Sequence, residues 1–247
     1  MSEYEVTTVD DTLLEQICSP LLNPKPTGMR HLWLGDSGMG KTVANQQLLT
    51  WIHKRKLVGI TLTIDDKSAH EIQYSGGCIR VNPDDLRSNP PERSENSRHI
   101  VFRGIAATKR PGPDVDEVIF DASQMAWDLV RHSSTQVLLN IDELADATNG
   151  TQSWKRPEVA SLYRKGRSVG ISVVATTQLP QELPRAAFGL SETIGLFRMS
   201  GREAEYLETK AVIPSSEVES ICNLQVGEFR LFAKSKPLDP KVYKFEL

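Results

Sequence analysis

Eight consecutive residues in the first part of the chain have the types and spacing needed to bind phosphate. They match the pattern G-x-x-x-x-G-K-[S/T] in full and are Gly35, Asp36, Ser37, Gly38, Met39, Gly40, Lys41 and Thr42. Glycines let successive backbone N–H groups turn toward one anion, the lysine ammonium reaches the β- and γ-phosphates, and the threonine hydroxyl is a ligand for Mg²⁺. The stretch predicts a nucleotide site that takes ATP and Mg²⁺.

A pair of carboxylates supplies the second half of such a site. Asp142 and Glu143 directly follow the apolar residues 137–141. Asp142 is the expected Mg²⁺ partner, acting through water, and Glu143 is the expected general base that polarises the water attacking the γ-phosphate. The pair taken alone is also typical of a strand cap in a surface loop, but the complete phosphate loop favours the catalytic interpretation.

A third candidate lies at the polar end of the β-branched run 171–176, where Thr177 and Gln178 precede Leu179 and Pro180. Open α/β sheets bind ligands beyond the carboxyl ends of their strands, so Gln178 is a candidate sensor of the γ-phosphate. A capping or turn role for Thr177 and Gln178 is the alternative when this segment is considered by itself.

Alternating strands and helices must position these residues. Apolar and β-branched runs predict strands at residues 31–34, 57–64, 79–81, 99–102, 136–141, 171–176, 193–197 and 228–232. Apolar residues three and four apart predict helices at 13–18, 41–54, 114–132, 157–167, 202–208 and 215–222. The polar, proline-containing segments 82–98 and 109–113 are expected to be loops. This alternation predicts an α/β fold with a mostly parallel central sheet and helices on both faces.

Composition limits the class of protein. The 247 residues are 39% hydrophobic and 25% charged, which fits one soluble domain. We expect an N-terminal lead over residues 1–27 and one large domain over 28–247. The net charge of -3 excludes a broadly cationic nucleic-acid clamp, so any contact with DNA must be local. Three scattered cysteines, an acidic N-terminus and the lack of a long apolar run predict a cytoplasmic protein without a membrane span.

Together the motifs resemble the FtsK-HerA superfamily of ring-forming DNA translocases, and within it the compact genome-packaging ATPases of double-stranded DNA viruses. The resemblance covers most of residues 30–232. Besides the segments above it includes residues 63–67, similar to an Asp-Pro-Lys motif, and the segments 166–171, 197–200, 203–207 and 227–229. Two departures are Asp66 in place of the proline and Thr177 inserted into Ala-Thr-Gln.

The resemblance implies a RecA-like P-loop ATPase that forms a hexameric or pentameric ring with ATP bound between subunits. It also implies an arginine that reaches the neighbour's γ-phosphate. Arg167 is the first candidate for this role, and Arg164 and Arg185 are weaker ones. Loops facing the ring pore are expected to contact DNA, and the segment 144–156 offers Lys155 and Arg156 as positive charge and Trp154 as a packing or stacking surface.

The implied function is ATP-driven translocation of double-stranded DNA, with packaging of a viral genome into a procapsid as the leading form. A viral capsid vertex or portal protein is then the expected docking partner, and the host cytoplasm, the procapsid or the virion the expected location. Cellular relatives usually carry extensions for which this chain has no room, which favours the viral branch. Two alternatives stay open: a plasmid or cellular HerA/FtsK-like DNA pump, and a nucleotide switch that organises a protein complex without translocation.

Overall fold

One nine-stranded sheet organises the molecule. The structure is a computed structural model and describes residues 6–23, 25–65, 98–103, 115–133, 136–148, 153–210, 212–234 and 241–245. Its strands are β1 (Val6–Thr8), β2 (Arg30–Leu34), β3 (Ile60–Asp65), β4 (Arg98–Arg103), β5 (Val137–Ile141), β6 (Ile171–Thr177), β7 (Thr193–Phe197), β8 (Glu228–Ala233) and β9 (Val242–Lys244). They lie side by side in the order β1-β9-β8-β7-β2-β6-β5-β3-β4.

Helices connect most of these strands. They are α1 (Asp11–Ile17), α2 (Ser19–Leu22), α3 (Lys41–Lys54), α4 (Val115–Ser133), α5 (Leu144–Ala147), α6 (Pro157–Lys165), α7 (Arg185–Leu190), α8 (Gly201–Thr209) and α9 (Val218–Cys222). Short 3₁₀ turns occupy Ser153–Lys155, Gly166–Val169, Pro180–Glu182 and Ser215–Glu217. None of the described helices combines the length and the apolar composition needed to cross a bilayer.

The central strands are buried on both faces. Consecutive side chains of a strand point to opposite sides of the sheet, so Leu32 and Leu34 lie in one buried cluster and Trp33 in another. Helices α4 to α9 cover the first cluster, and α1 to α3 cover the second. The predicted α/β architecture with helices on both faces is confirmed.

Parallel pairing brings several strand ends to one edge of the sheet. All pairs among β7, β2, β6, β5, β3 and β4 are parallel, while β8 is antiparallel to both β7 and β9. We call the edge where β2, β5, β6 and β7 end the carboxyl edge, and the edge where they begin the amino edge. In the register, Leu34 pairs with Thr177 and Ile141 pairs with Ala175. The three candidate segments therefore meet at the carboxyl edge.

The N-terminal residues also join this architecture. Strand β1 pairs in parallel with β9, and α1 buries Leu13, Leu14 and Ile17. Asp10 caps α1, because its carboxylate accepts a hydrogen bond of 2.9 Å from the Leu13 N–H. The division of the chain at residue 27 remains a prediction.

Several predicted boundaries were wrong. The helix predicted over 157–167 ends at Lys165, and Arg167 lies in the 3₁₀ turn Gly166–Val169. The segment 144–156 was predicted to be a loop, but it begins with the buried helix α5. The strand predicted over 57–64 starts at Ile60, and the helix predicted over 215–222 begins as a 3₁₀ turn. Glycine and serine at these points fit a regular helix poorly, and tertiary contacts decide the local geometry.

Some predicted elements lie outside the described residues. They are the strand at 79–81, the polar segment 82–97, the loop 109–113, residues 66 and 67 of the Asp-Pro-Lys-like motif, and Cys78. Strands β1 and β9 and helices α2 and α7 were not predicted, since three to six residues give too short a hydrophobic pattern to identify.

Candidate nucleotide site

The phosphate loop connects β2 to α3 at the carboxyl edge. Gly35, Gly38 and Gly40 have φ values of 149°, 74° and 106°, which side-chain-bearing residues rarely adopt. A Cβ atom on Gly35 would also lie 2.6 Å from the Phe197 Cβ. Backbone conformation and close packing therefore both require glycine at the start of the loop.

Neighbouring segments hold the loop by backbone hydrogen bonds. The Asp36 N–H donates to the carbonyl oxygen of Arg198 at 2.9 Å, and the Gly227 N–H donates to that of Met39 at 2.9 Å. The sequence motifs around Arg198 and Gly227 matched the resembled family, but they gave neither residue a role. The structure shows that both residues support the phosphate loop through main-chain atoms.

Donors for an anion are present in the loop. The N–H groups of Gly38, Met39 and Gly40 make no hydrogen bond to any residue in the described part of the chain. The Lys41 ammonium is buried and donates to the carbonyl oxygens of Gly35 at 2.7 Å and Asp36 at 2.8 Å. Unpaired amides at the start of the 14-residue helix α3, with an ammonium beside them, suit a phosphate chain. The donor set fits the predicted nucleotide.

The two carboxylates lie at the end of β5, separated from β2 by β6. Two strand spacings place the end of β5 roughly 9–10 Å from the end of the phosphate-loop strand. Asp142 and Glu143 are buried, with 8% and 3% of their surface exposed. Thr42 is exposed at the first turn of α3, so its hydroxyl is available to a ligand. Thr42 and Asp142 supply the oxygen ligands that Mg²⁺ prefers.

Two adjacent threonines at the end of β6 hold the two adjacent carboxylates. The Thr176 hydroxyl donates to Asp142 Oδ1 at 2.7 Å and accepts the Glu143 N–H at 3.1 Å. The Thr177 hydroxyl donates to Glu143 Oε1 at 2.5 Å, and the Gln178 N–H donates to the same oxygen at 2.9 Å. The carboxylates are therefore fixed by the strand that was predicted to carry the sensor.

Glu143 has two unusual features. Its backbone is left-handed, with φ 51° and ψ 75°, a conformation that costs a non-glycine residue on the order of 1–3 kcal/mol. Its second oxygen, Oε2, is buried and has no hydrogen-bond partner in the described part of the chain. An unpaired buried carboxylate oxygen costs about 1–3 kcal/mol or more. Both features are typical of a residue whose position serves a ligand rather than stability.

A buried amide network ties the phosphate-loop helix to the carboxylate strand. Asn45 of α3 donates to Asn140 Oδ1 of β5 at 2.9 Å, and Asn140 donates to the Thr63 hydroxyl of β3 at 3.3 Å. None of these three residues was assigned a role from the sequence. An asparagine in the otherwise apolar strand 137–141 was the available signal, since a buried amide needs partners.

Arg167, the first arginine candidate, lies at the amino edge of the sheet. Arg167 precedes the first residue of β6, and Gln178 lies just after its last residue. At about 3.3 Å per residue, the seven residues of β6 separate the two ends of the strand by roughly 20 Å. Half of the Arg167 side chain is exposed, and its guanidinium lies 3.1 Å from Glu192. Arg164 and Arg185 are exposed at the end of α6 and the start of α7.

The predicted DNA-contacting residues differ in exposure. Lys155 is exposed, whereas Arg156 is half-buried with its guanidinium 4.9 Å from the centre of the Phe120 ring. Trp154 packs on Tyr163, with ring centres 4.8 Å apart. Trp154 therefore packs within the chain, and Lys155 is the more accessible cation of the pair.

Comparisons with known proteins support the architecture. No protein-family model and no curated protein matches the chain. Among solved structures, the genome packaging NTPase B204 from Sulfolobus turreted icosahedral virus 2, in complex with sulfate, is similar with a TM-score of 0.69 at 15% identity, over 90% of this chain and 98% of that one. The DNA-packaging ATPase B204 from Sulfolobus Turreted Icosahedral Virus gives 0.64 at 15% identity, over 89% and 98%.

A bacterial ATPase is similar to the same extent. VirB4 of Thermoanaerobacter pseudethanolicus gives a TM-score of 0.64 at 13% identity, over 89% of this chain and 91% of that one. Similarity at this level of identity concerns the fold. The chain has a RecA-like P-loop NTPase fold similar to the folds of viral genome-packaging ATPases and VirB4, which confirms the resemblance inferred from its motifs.

Proposed function

We propose that this protein is a Mg²⁺-dependent ATPase that assembles as a ring and translocates double-stranded DNA, with viral genome packaging as the leading role. The observation that carries the proposal is the buried Glu143, held beside Asp142 at the same edge as a complete phosphate loop, with its Oε2 bonded to none of the described residues. The genome packaging NTPase B204 from Sulfolobus turreted icosahedral virus 2, which has a similar fold, was solved in complex with AMPPCP and with ATP-gammaS, and this supports ATP as the substrate.

Each part of the site has a distinct task. The unpaired amides of the phosphate loop bind the phosphate oxygens, and the Lys41 ammonium exchanges the Gly35 and Asp36 carbonyls for the β- and γ-phosphates. Thr42 and Asp142 would hold Mg²⁺, which when bound offsets negative charge on the β- and γ-phosphates. Glu143 Oε2 accepts a proton from the water that attacks the γ-phosphorus.

The position of Arg167 supports a ring. An arginine roughly 20 Å from the carboxyl edge of its own sheet cannot reach its own nucleotide. It is half-exposed, so a neighbouring subunit can present a nucleotide to it. A guanidinium supplied in this way stabilises charge on the transferring phosphoryl group and is worth about 10³–10⁵-fold in other phosphoryl-transfer systems.

ATP turnover with and without duplex DNA tests the proposal. We expect turnover that requires Mg²⁺ and rises several-fold when duplex DNA is added. Lys41→Ala should lose nucleotide binding and turnover, while Lys54→Ala, at the exposed end of the same helix, should keep both. Equal turnover with and without DNA would count against the motor, and ATP binding without any turnover would favour the nucleotide switch.

The DNA-contacting residues have their own test. Lys155→Ala should reduce stimulation by DNA while leaving DNA-free turnover unchanged, since Lys155 is exposed and lies in a 3₁₀ turn apart from the carboxylates. Each lost phosphate contact should also lower the salt dependence of DNA binding by about one counterion. If DNA stimulation of turnover and the salt dependence of DNA binding are both unchanged in Lys155→Ala, another loop contacts the DNA.

A further inference from the structure

Thr177 is a buried residue at the carboxyl edge to which the sequence assigned no catalytic task. It is the last residue of β6 and is fully buried. Its hydroxyl has one hydrogen to donate and can accept through its lone pairs. The Leu179 N–H donates to this hydroxyl at 3.2 Å, and the hydroxyl donates to Glu143 Oε1 at 2.5 Å. The turn after β6 therefore orients the Thr177 hydroxyl toward Glu143.

The contact makes the two oxygens of Glu143 unequal. Oε1 accepts from the Thr177 hydroxyl and from the Gln178 N–H, while Oε2 has no partner in the described ranges. Two donors that converge on one oxygen fix the rotation of the carboxylate about its last bond. Oε2 is then the oxygen left to accept a proton from outside the chain.

We propose that Thr177 is a positioning residue for Glu143. Its hydroxyl, with the Gln178 N–H, holds Oε1 so that Oε2 faces the attacking water. This inference rests on the proposed ATPase function and deepens it. Thr177 is the residue inserted into the Ala-Thr-Gln motif, and positioning Glu143 is the role we assign to it. Gln178 acts on Glu143 through its backbone N–H.

The expected kinetic effect follows from geometry. Misplacing a catalytic group by about 1 Å costs on the order of 10²-fold in rate. Thr177 touches neither the phosphate loop nor Asp142 through its hydroxyl, so nucleotide binding should not depend on it. The loss should therefore appear in kcat and leave KM and nucleotide affinity unchanged.

The test compares Thr177→Val, Thr177→Ser and wild type in the full chain. We expect Thr177→Val to lower kcat by about 10–100-fold, with KM for ATP and affinity for a non-hydrolysable ATP analogue within about 2-fold. Thr177→Ser keeps the donor and should return kcat to within about 3-fold of wild type. Thr193→Val is the matched control, since it removes a buried threonine hydroxyl at the amino edge of β7 and should not change kcat.

Three outcomes would contradict the role assigned to Thr177. Wild-type kcat in Thr177→Val, or a Thr177→Ser variant as slow as Thr177→Val, overturns the assignment. A loss of analogue affinity that matches the loss of rate overturns it too, because it makes Thr177 a binding residue.

Two further comparisons keep the test decisive. If Thr177→Val does not fold, Thr177→Cys replaces the hydroxyl with a weak thiol donor, and a kcat between those of wild type and Glu143→Gln supports the assignment while a wild-type kcat overturns it. If wild type itself does not hydrolyse ATP, the proposed function fails. If wild type is active, Glu143→Gln is inactive and Thr177→Val is fully active, then only the inference about Thr177 fails.

Discussion

The charged site residues at the carboxyl edge and the Arg167–Glu192 pair at the amino edge differ in burial and in what holds them. At the carboxyl edge, Lys41, Asp142 and Glu143 are each at most 8% exposed, and the hydrogen bonds described above for each come from backbone or threonine groups of the same chain. At the amino edge, Arg167 is half-exposed and pairs with Glu192, which is 22% exposed.

This difference separates two kinds of task. Buried charged groups with short hydrogen bonds to neutral partners are held in one geometry, which suits groups that must meet a substrate in a fixed position. A half-exposed ion pair in water contributes only about 0–1 kcal/mol, so its partners exchange easily. The carboxyl edge is built for chemistry within one chain, and the amino edge presents an arginine that can change partners.

The largest expected effect tests the amino edge. Arg167→Ala should lower turnover by about 10³-fold or more, because charge on the transferring phosphoryl group loses its guanidinium. When variant and wild-type subunits are mixed, total activity should fall more steeply than the wild-type fraction, since each variant subunit also disables its neighbour's site. The measurement is steady-state ATP turnover against mixing ratio.

Arg164→Ala is the matched control for this experiment, as it is exposed on the same segment. It should leave turnover unchanged. A linear mixing curve for Arg167→Ala would show that the arginine does not act on a neighbour. A steep curve for Arg164→Ala, or for Arg185→Ala, would transfer the role to that residue.

The next effect tests the carboxyl edge. Glu143→Gln keeps the shape and the hydrogen-bond acceptor but removes the base, so turnover should fall by about 10²–10⁴-fold. Affinity for ATP, measured by calorimetry, should remain within a few-fold of wild type. Glu182→Gln makes the same chemical change at an exposed position just beyond β6 and should have no effect. Full turnover in Glu143→Gln would show that Glu143 is not the general base.

A third prediction concerns stability at the amino edge. His31 is fully buried, and burial lowers its pKa from 6.5 to about 3. Between these two pH values the unfolded chain binds a proton at His31 that the folded chain does not. The contribution of His31 to the free energy of unfolding is therefore fully present above pH 6.5 and is lost progressively as the pH is lowered. The free energy of unfolding should fall by up to about 1.4 kcal/mol per pH unit from this group.

Denaturant titrations between pH 7 and pH 5 measure this slope. His31→Gln retains a hydrogen-bonding side chain near Thr193 but cannot take up the proton, so its free energy of unfolding should depend less on pH than that of wild type. The carboxylates contribute equally to the pH dependence of wild type and His31→Gln. The difference between the two slopes therefore comes from the His31 imidazole. Identical slopes would show that His31 does not link protonation to folding.

The smallest effect concerns the counterion of Arg167. Glu192 accepts a hydrogen bond of 2.6 Å from the backbone N–H of Arg30 and lies 3.1 Å from the Arg167 guanidinium. Glu192 also lies 3.6 Å from the Arg30 guanidinium. Glu192→Gln keeps an oxygen for the Arg30 backbone N–H but weakens the charge contacts with both guanidinium groups, so we expect a loss of about 1 kcal/mol in the free energy of unfolding. Turnover should change by no more than a few-fold. A loss as large as that of Arg167→Ala would mean that Glu192 holds the arginine in its working position.

Much of the carboxyl edge could be predicted from sequence. The phosphate loop is a continuous stretch whose chemistry depends on local backbone freedom, and residues 137–143 show both the buried strand and the carboxylates that end it. The contacts between these segments were beyond prediction. That Thr176 and Thr177 each hold one carboxylate follows from the parallel register of β5 and β6, and no local pattern specifies a register.

The amino edge was less predictable, because its groups come from segments far apart in the chain. Glu192 and Arg30 meet across 162 positions, and the helix predicted to carry Arg167 ends two residues earlier. Ion pairs between distant residues leave no periodic signal.

The sequence by itself determined the phosphate loop, the carboxylate pair and the alternation of strands and helices, because each depends on residues close together in the chain. The tertiary structure decided which polar groups meet at each edge, because strand order and register bring together residues that the sequence separates. Two products of that arrangement are Glu143 Oε2, which bonds to no described residue, and the separation of roughly 20 Å between Arg167 and the carboxyl edge of its own sheet.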